Sequence, residues 1–163
     1  MTIISFKGSI KKIPLTIKEI QFIVDTTQKL LGTKLPKNLP LILNCCLVSE
    51  TKITGINISW RHKKQSSPII AFPDYYLKLP DEPLQEEIHL GDMIICPKVI
   101  RERTKENFPT FNYQNFRLQF IFSFIHSLVH LYGYTHENDN KANKMESMEK
   151  RVQNIVIKKL IKS

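Results

Sequence analysis

With 24 Lys and Arg against 15 Asp and Glu over 163 residues, the chain carries a formal charge of +9, which favours polyanionic partners by raising their local concentration and encounter rate. Its three cysteines, Cys45, Cys46 and Cys96, are odd in number and lie in apolar runs. That excludes a disulfide scaffold and predicts small core residues in a reducing compartment, the cytoplasm. No apolar run approaches the ~20 residues of a membrane span, and Met1 to Phe6 is followed at once by Lys7, so neither anchor nor signal peptide is expected.

The length predicts one domain over residues 1–163, large enough to bury roughly two-thirds of its unfolded surface. The opening TIISFKGSI has the composition of a short strand. Thr16 and Glu19 form a capping-box pattern before Ile20, Ile23, Val24, Leu30 and Leu31, so a helix is predicted from Thr16 to a stop at Gly32. After the proline-punctuated KLPKNLP linker, LILNCCLVS is nearly continuous and apolar, which predicts a central strand buried on both faces. Ser49 offers an N-cap to a helix that places Ile53, Ile56 and Trp60 on one side.

PIIAFP reads as a strand, DEPLQEE as an acidic turn and IHLGDMIIC as a further strand, with Pro97 ending it or opening a helix. From Tyr113 to Leu131 the period is helical: Phe116, Phe120, Phe124 and Leu128 recur every four residues with Ile121, Ile125 and Val129 beside them. A helix apolar on more than one face belongs at the centre of a domain. The segment from about Asn138 to Lys162 is amphipathic, with Met145, Met148, Val152, Ile155 and Leu160 near one stripe. The predicted class is α+β: a small mixed sheet of about four strands packed with about five helices.

The end of the central helix carries the chemistry. In HSLVHLYGYTH, His126 and His130 are four residues apart and stack on one helical face. Gly133 can adopt the left-handed conformation that ends a helix, which lets His136 approach from a third direction. Three neutral imidazoles plus water is the coordination of a hydrolytic zinc site, although imidazole also suits iron and nickel. The zinc-protease motif of metzincins shares this spacing but has a glutamate as general base after the first histidine. Here that position is Ser127, so the usual route to peptide hydrolysis is missing. Glu137 and Asp139 are the nearby carboxylates that could close the site with a fourth ligand, and neither lies at a recognised spacing; His62 and His89 read as isolated, non-ligating histidines.

These motifs resemble the YbeY family of zinc-dependent endoribonucleases of ribosomal RNA maturation. His126, His130, Leu131, Gly133, Tyr134 and His136 match the family pattern HGxLHLxGYDH, Asn57, Arg61, Lys63, Phe72 and Pro73 match NREYRGKDKPTDVLSFP, and Leu90, Gly91, Asp92 and Ile95 match LGDIVIS. Ser127, Thr135, Pro68 and Cys96 depart from it. Thr135 replaces an aspartate before the third histidine, which would remove a carboxylate able to orient a ligand.

The resemblance implies one Zn2+ per chain on His126, His130 and His136, and Arg61 facing the same cleft as the phosphate contact. It also implies a single-strand-specific endoribonuclease of 16S rRNA 3′-end maturation and ribosome quality control, partnered by ribosomal RNA and the small subunit. No membrane or DNA partner is expected, and monomer is the default state. The competing expectations are a non-catalytic ribosome-associated RNA-binding factor with structural zinc, and a different zinc metallohydrolase.

Overall fold

Local capping and hydrophobic period place the elements, seen here in a computed structural model that describes residues 2–32, 35, 39–74, 87–103 and 115–161. Strand β1 (Thr2–Lys7) leads through a single 3-10 turn to helix α1 (Ile17–Leu31). The capping box is complete: the Thr16 hydroxyl accepts from the Glu19 amide, and the Glu19 carboxylate accepts from the Thr16 amide at 2.8 Å. Gly32 is the C-cap. Strand β2 (Leu41–Leu47) is followed by α2 (Glu50–Arg61), capped by Ser49, then by β3 (Ile69–Pro73) and β4 (Ile88–Ile95). Pro97 opens α3 (Pro97–Arg103); α4 (Phe116–Leu131) and α5 (Asp139–Leu160) complete the chain. The linker at 34–40, the acidic turn at 81–87 and the predicted helix start at Tyr113 lie wholly or largely outside the described residues; α4 is capped by the Asn115 side chain.

The four strands make one mixed sheet in the order β1-β2-β4-β3, with β1, β2 and β4 parallel and β3 antiparallel to β4. Four strands and five α-helices among the described residues match the predicted α+β class. On one face, α1, α4 and α5 enclose a core that includes Ile20, Ile23, Leu43, Met93, Phe120, Phe124, Leu128 and Val152. On the other, Ile53 of α2 and Val99 of α3 pack with Ile70 and Cys96 in a smaller cluster.

Helix α4 is buried on several sides as its sequence predicts, with Phe120, Ile121, Phe124, Ile125, Leu128, Val129 and Leu131 inaccessible. Each such side chain contributes about 1.5–3 kcal/mol on burial.

Three expectations need correction. Strand β2 is central, but buried on one face only: Leu41, Leu43 and Cys45 are enclosed, whereas Ile42, Asn44 and Cys46 are half-buried. An apolar run cannot say how much of a sheet the helices will cover, and Asn44 spends its amide on Asp92 at 2.9 Å on the open side. Cys45 is a core residue whose thiol burial pushes up to about 12; Cys46 is not enclosed. Trp60 keeps to the side of Ile53 and Ile56, as its spacing predicts, at the rim of that cluster. It is 72% exposed and rests its ring edge-on against Phe72, 5.8 Å between centroids. On α5, Ile155 is exposed and Val156 takes the buried position instead, because the stripe runs through Met145, Val152 and Val156 at spacings of seven and four.

Candidate metal centre

One irregularity in β4 lets the end of α4 settle on the sheet. The pairing of β2 with β4 slips between Ile42 and Leu43, and Gly91, opposite Leu43, has φ 136°. A Cβ there would fall 2.3 Å from the Phe72 carbonyl oxygen and 3.1 Å from a Leu131 methyl. Only glycine fits a left-handed position so closely approached. Leu131 follows His130 directly, so this packing anchors the helix turn that carries the histidines.

The helix ends in a Schellman arrangement. The Gly133 amide donates to the His130 carbonyl and the Tyr134 amide to the Val129 carbonyl, with Gly133 at φ 85°. The chain reverses there, as the sequence predicts, and brings back His136. The three rings converge: centroids are 4.6 Å apart for His126 and His130, 5.1 Å for His130 and His136, and 5.8 Å for His126 and His136. One ring nitrogen from each lies within 4.8 Å of the others, so the three can hold a metal ion.

The hydrogen bonds decide which nitrogens are free. The Tyr134 carbonyl can only accept, so His130 Nδ1, 2.8 Å away, carries a proton. His126 Nδ1 lies 2.7 Å from Glu149 Oε1 on α5 and likewise donates, to a carboxylate. Both Nε2 atoms are left facing each other at 3.1 Å. Burial, followed by repulsion from His126, lowers the His130 pKa from its ordinary value and favours the neutral ring. A neutral His130 therefore points a lone pair at its neighbour, an arrangement that a cation between the two rings satisfies. The donor set fits a metal.

No fourth protein ligand joins the cluster among the described residues. Glu137 is exposed and bonded to Lys141 Nζ at 2.5 Å, which holds its carboxyl below the usual range. Ser127 is buried, 4% exposed, and offers no base to the cleft. His136 is exposed, leaving the site open on its side. His62 takes a left-handed cap after α2 and His89 pairs with Glu87, and neither belongs to a metal-capable group among the described residues. Arg61 is the last residue of α2, exposed beside Lys63 and Lys64, with no hydrogen bond or ion pair to the histidines among the described residues. The structure brings the three imidazoles together and leaves Arg61 outside their hydrogen-bonded cluster.

Sequence reasoning missed Glu149. It sought an orienting carboxylate beside the third histidine, where Thr135 stands; the structure supplies one to the first histidine from another helix. Its trace in the sequence is a glutamate between Met145 and Val152, on the face of α5 that packs inward.

An open tris-histidine site at the end of a buried helix, in an α+β domain, defines a metal-dependent hydrolase. The sequence model of the family described as Endoribonuclease YbeY matches residues 5–156. Curated relatives called endoribonuclease YbeY include those of Bartonella quintana, 28% identical over 81% of each chain, and Bartonella bacilliformis, 29% identical over 97% of this chain and 92% of that one. A third, from Pseudomonas syringae, is 32% identical over 64% of this chain and 57% of its own length. The solution structure of TM1509 from Thermotoga maritima has the same fold, with TM-score 0.55 and 22% identity over 96% of this chain and 89% of that one. The chain belongs to the YbeY family of endoribonucleases.

Proposed function

We propose that the chain is a single-strand-specific, zinc-dependent endoribonuclease that matures the 3′ end of 16S rRNA and takes part in ribosome quality control. The observation that carries this reading is the pair of Nε2 atoms 3.1 Å apart, each on a ring whose other nitrogen is already bonded. That spacing is close to the ~3.3 Å edge of a tetrahedron built on zinc–nitrogen bonds of about 2.0–2.1 Å. His126, His130 and His136 hold one Zn2+ per chain. Bound there, zinc supplies a Lewis acid for a phosphoryl oxygen and lowers the pKa of water toward ~7.

The rest falls to the chain's own groups. Glu149 and the Tyr134 carbonyl keep two rings turned toward the ion. Arg61 contacts the scissile phosphate, for which a permanently charged, planar guanidinium with paired donors is suited. Lys63 and Lys64 follow it on an exposed stretch and attract the RNA backbone, and the charge of +9 acts in the same direction at longer range. The partners are ribosomal RNA and the small subunit, the compartment is the cytoplasm, and residues 1–163 form one domain, with monomer as the default state. No described helix is long and apolar enough to cross a membrane.

The test is cleavage of a precursor fragment spanning the 16S 3′ end, offered alone and annealed to a complementary strand. Cutting confined to the single strand is expected. Equal cutting of the duplex, or none of either by zinc-loaded protein, contradicts the proposal.

A further inference from the structure

We infer that Glu149 is a positioning residue of the metal centre: from α5 it locks His126 in the Nδ1–H tautomer and so presents the Nε2 lone pair to the ion. This rests on the zinc reading above and adds a residue and a helix to it.

Two independent observations carry the inference. The first is contact geometry: Glu149 Oε1 stands 2.7 Å from His126 Nδ1, and its side chain is only 17% exposed. The second is placement. Met145 and Val152, four residues before Glu149 and three after, are 2% and 0% exposed, so the glutamate occupies the stripe by which α5 packs inward. A carboxylate in an apolar stripe costs stability unless it is partnered; here the partner is the first imidazole of the metal cluster. Lys150, the next residue, is committed elsewhere, to Glu146 at 2.6 Å.

The arrangement is asymmetric in a way that can be tested. His130 is oriented by an uncharged carbonyl, that of Tyr134, and His126 by a carboxylate. A negatively charged acceptor at Nδ1 raises electron density at Nε2, so it strengthens the ligand as well as aiming it. His130 therefore serves as an internal control for any change at Glu149.

The experiment compares wild type, Glu149→Ala and Glu149→Gln. Imidazole nitrogen NMR on the metal-free proteins at alkaline pH reports the tautomers, and competition with a chromophoric chelator reports zinc affinity. In wild type, His126 and His130 are both Nδ1–H. Glu149→Ala moves His126 to the Nε2–H form, leaves His130 unchanged and weakens zinc binding by about 10–100-fold. Glu149→Gln, whose side-chain oxygen still accepts from Nδ1 and whose volume is conserved, keeps the His126 tautomer and loses less affinity. An unchanged His126 tautomer in Glu149→Ala, or a zinc affinity within about twofold of wild type, overturns the inference. Should Glu149→Ala not fold, Glu149→Gln decides: affinity equal to wild type removes the role of the charge, and a weaker one supports it. None of these readouts requires RNA cleavage. Zinc bound normally by a protein that cuts no RNA would sink the proposed function and leave the Glu149 assignment standing.

Discussion

The two ends of α4 are built on opposite plans. At its start, Arg117 donates to the Pro14 carbonyl at 3.0 Å, to the Glu19 carboxylate at 2.6 Å and to the Leu160 carbonyl at 3.4 Å, so one side chain ties the beginnings of α1 and α4 to the end of α5. The donors and acceptors at that end satisfy one another. At the other end His126 and His130 use the protein's acceptors to turn their remaining nitrogens toward a common point, which a ring nitrogen of His136 also approaches. One end is complete in itself and the other is complete only with a ligand, which separates the part of the helix that holds the fold from the part that performs chemistry.

The sharpest way to break this comparison is to find that a metal-end residue holds the fold. His130→Ala removes one of three ligands, about a third of the ~10–16 kcal/mol typical of such zinc binding, so affinity falls on the order of 10³-fold. RNA cleavage disappears while the metal-free protein melts as wild type does. Metal analysis, cleavage and thermal melting of one preparation check all three.

Next in size is Arg61→Ala. If Arg61 contacts the phosphate as proposed, its removal lowers cleavage about 10²-fold. Zinc content and melting temperature stay at wild-type values, because Arg61 is exposed and bonds none of the histidines. Equal turnover by the variant would take Arg61 out of the mechanism.

At the tied end the consequences reverse. Arg117→Ala loses charge-assisted hydrogen bonds and costs about 2 kcal/mol, a drop in melting temperature of about 4–8 °C for a chain of this size. Its zinc affinity is unaltered. A tenfold loss of zinc affinity in this variant would mean that the two ends are coupled through the helix.

The smallest effect is an acid limb of stability. The Arg117 hydrogen bond, then the Thr16 amide, hold the Glu19 carboxyl down at about 2 from an ordinary 4.5. A depressed carboxylate stabilises the fold above the unfolded value and loses that contribution as pH falls from about 4.5 toward about 2. Allowing for solvent screening of this partly exposed pair, the loss is about 1–2 kcal/mol. Denaturant midpoints for wild type and Glu19→Gln should differ at neutral pH and converge at the acid end of that window. A constant difference throughout would place the stabilisation in something other than this ionisation.

Much of both ends was legible where the physics is local. The Thr16 and Glu19 capping box, the Ser49 cap, the four-residue apolar period of α4 and the reversal at Gly133 each depend on residues within one or two turns of each other, and each forms as its spacing predicts. So does the metal cluster, because its three ligands lie within eleven residues. What could not be read depends on packing between distant segments. Glu149 meets His126 across 23 positions and Arg117 reaches Pro14 across 103. The same limit explains β2, whose apolar run says nothing of the sheet face left partly open, and the exposure of Trp60 at the rim of the smaller core.

The most direct test of the division strips the metal from the wild-type protein with a chelator and follows melting and single-strand RNA cleavage together. If the histidine end is chemical and the Arg117 end structural, cleavage vanishes, the melting transition stays cooperative and within a few degrees, and added zinc restores activity. Cleavage that survives complete metal removal, or unfolding on removal, would contradict that account.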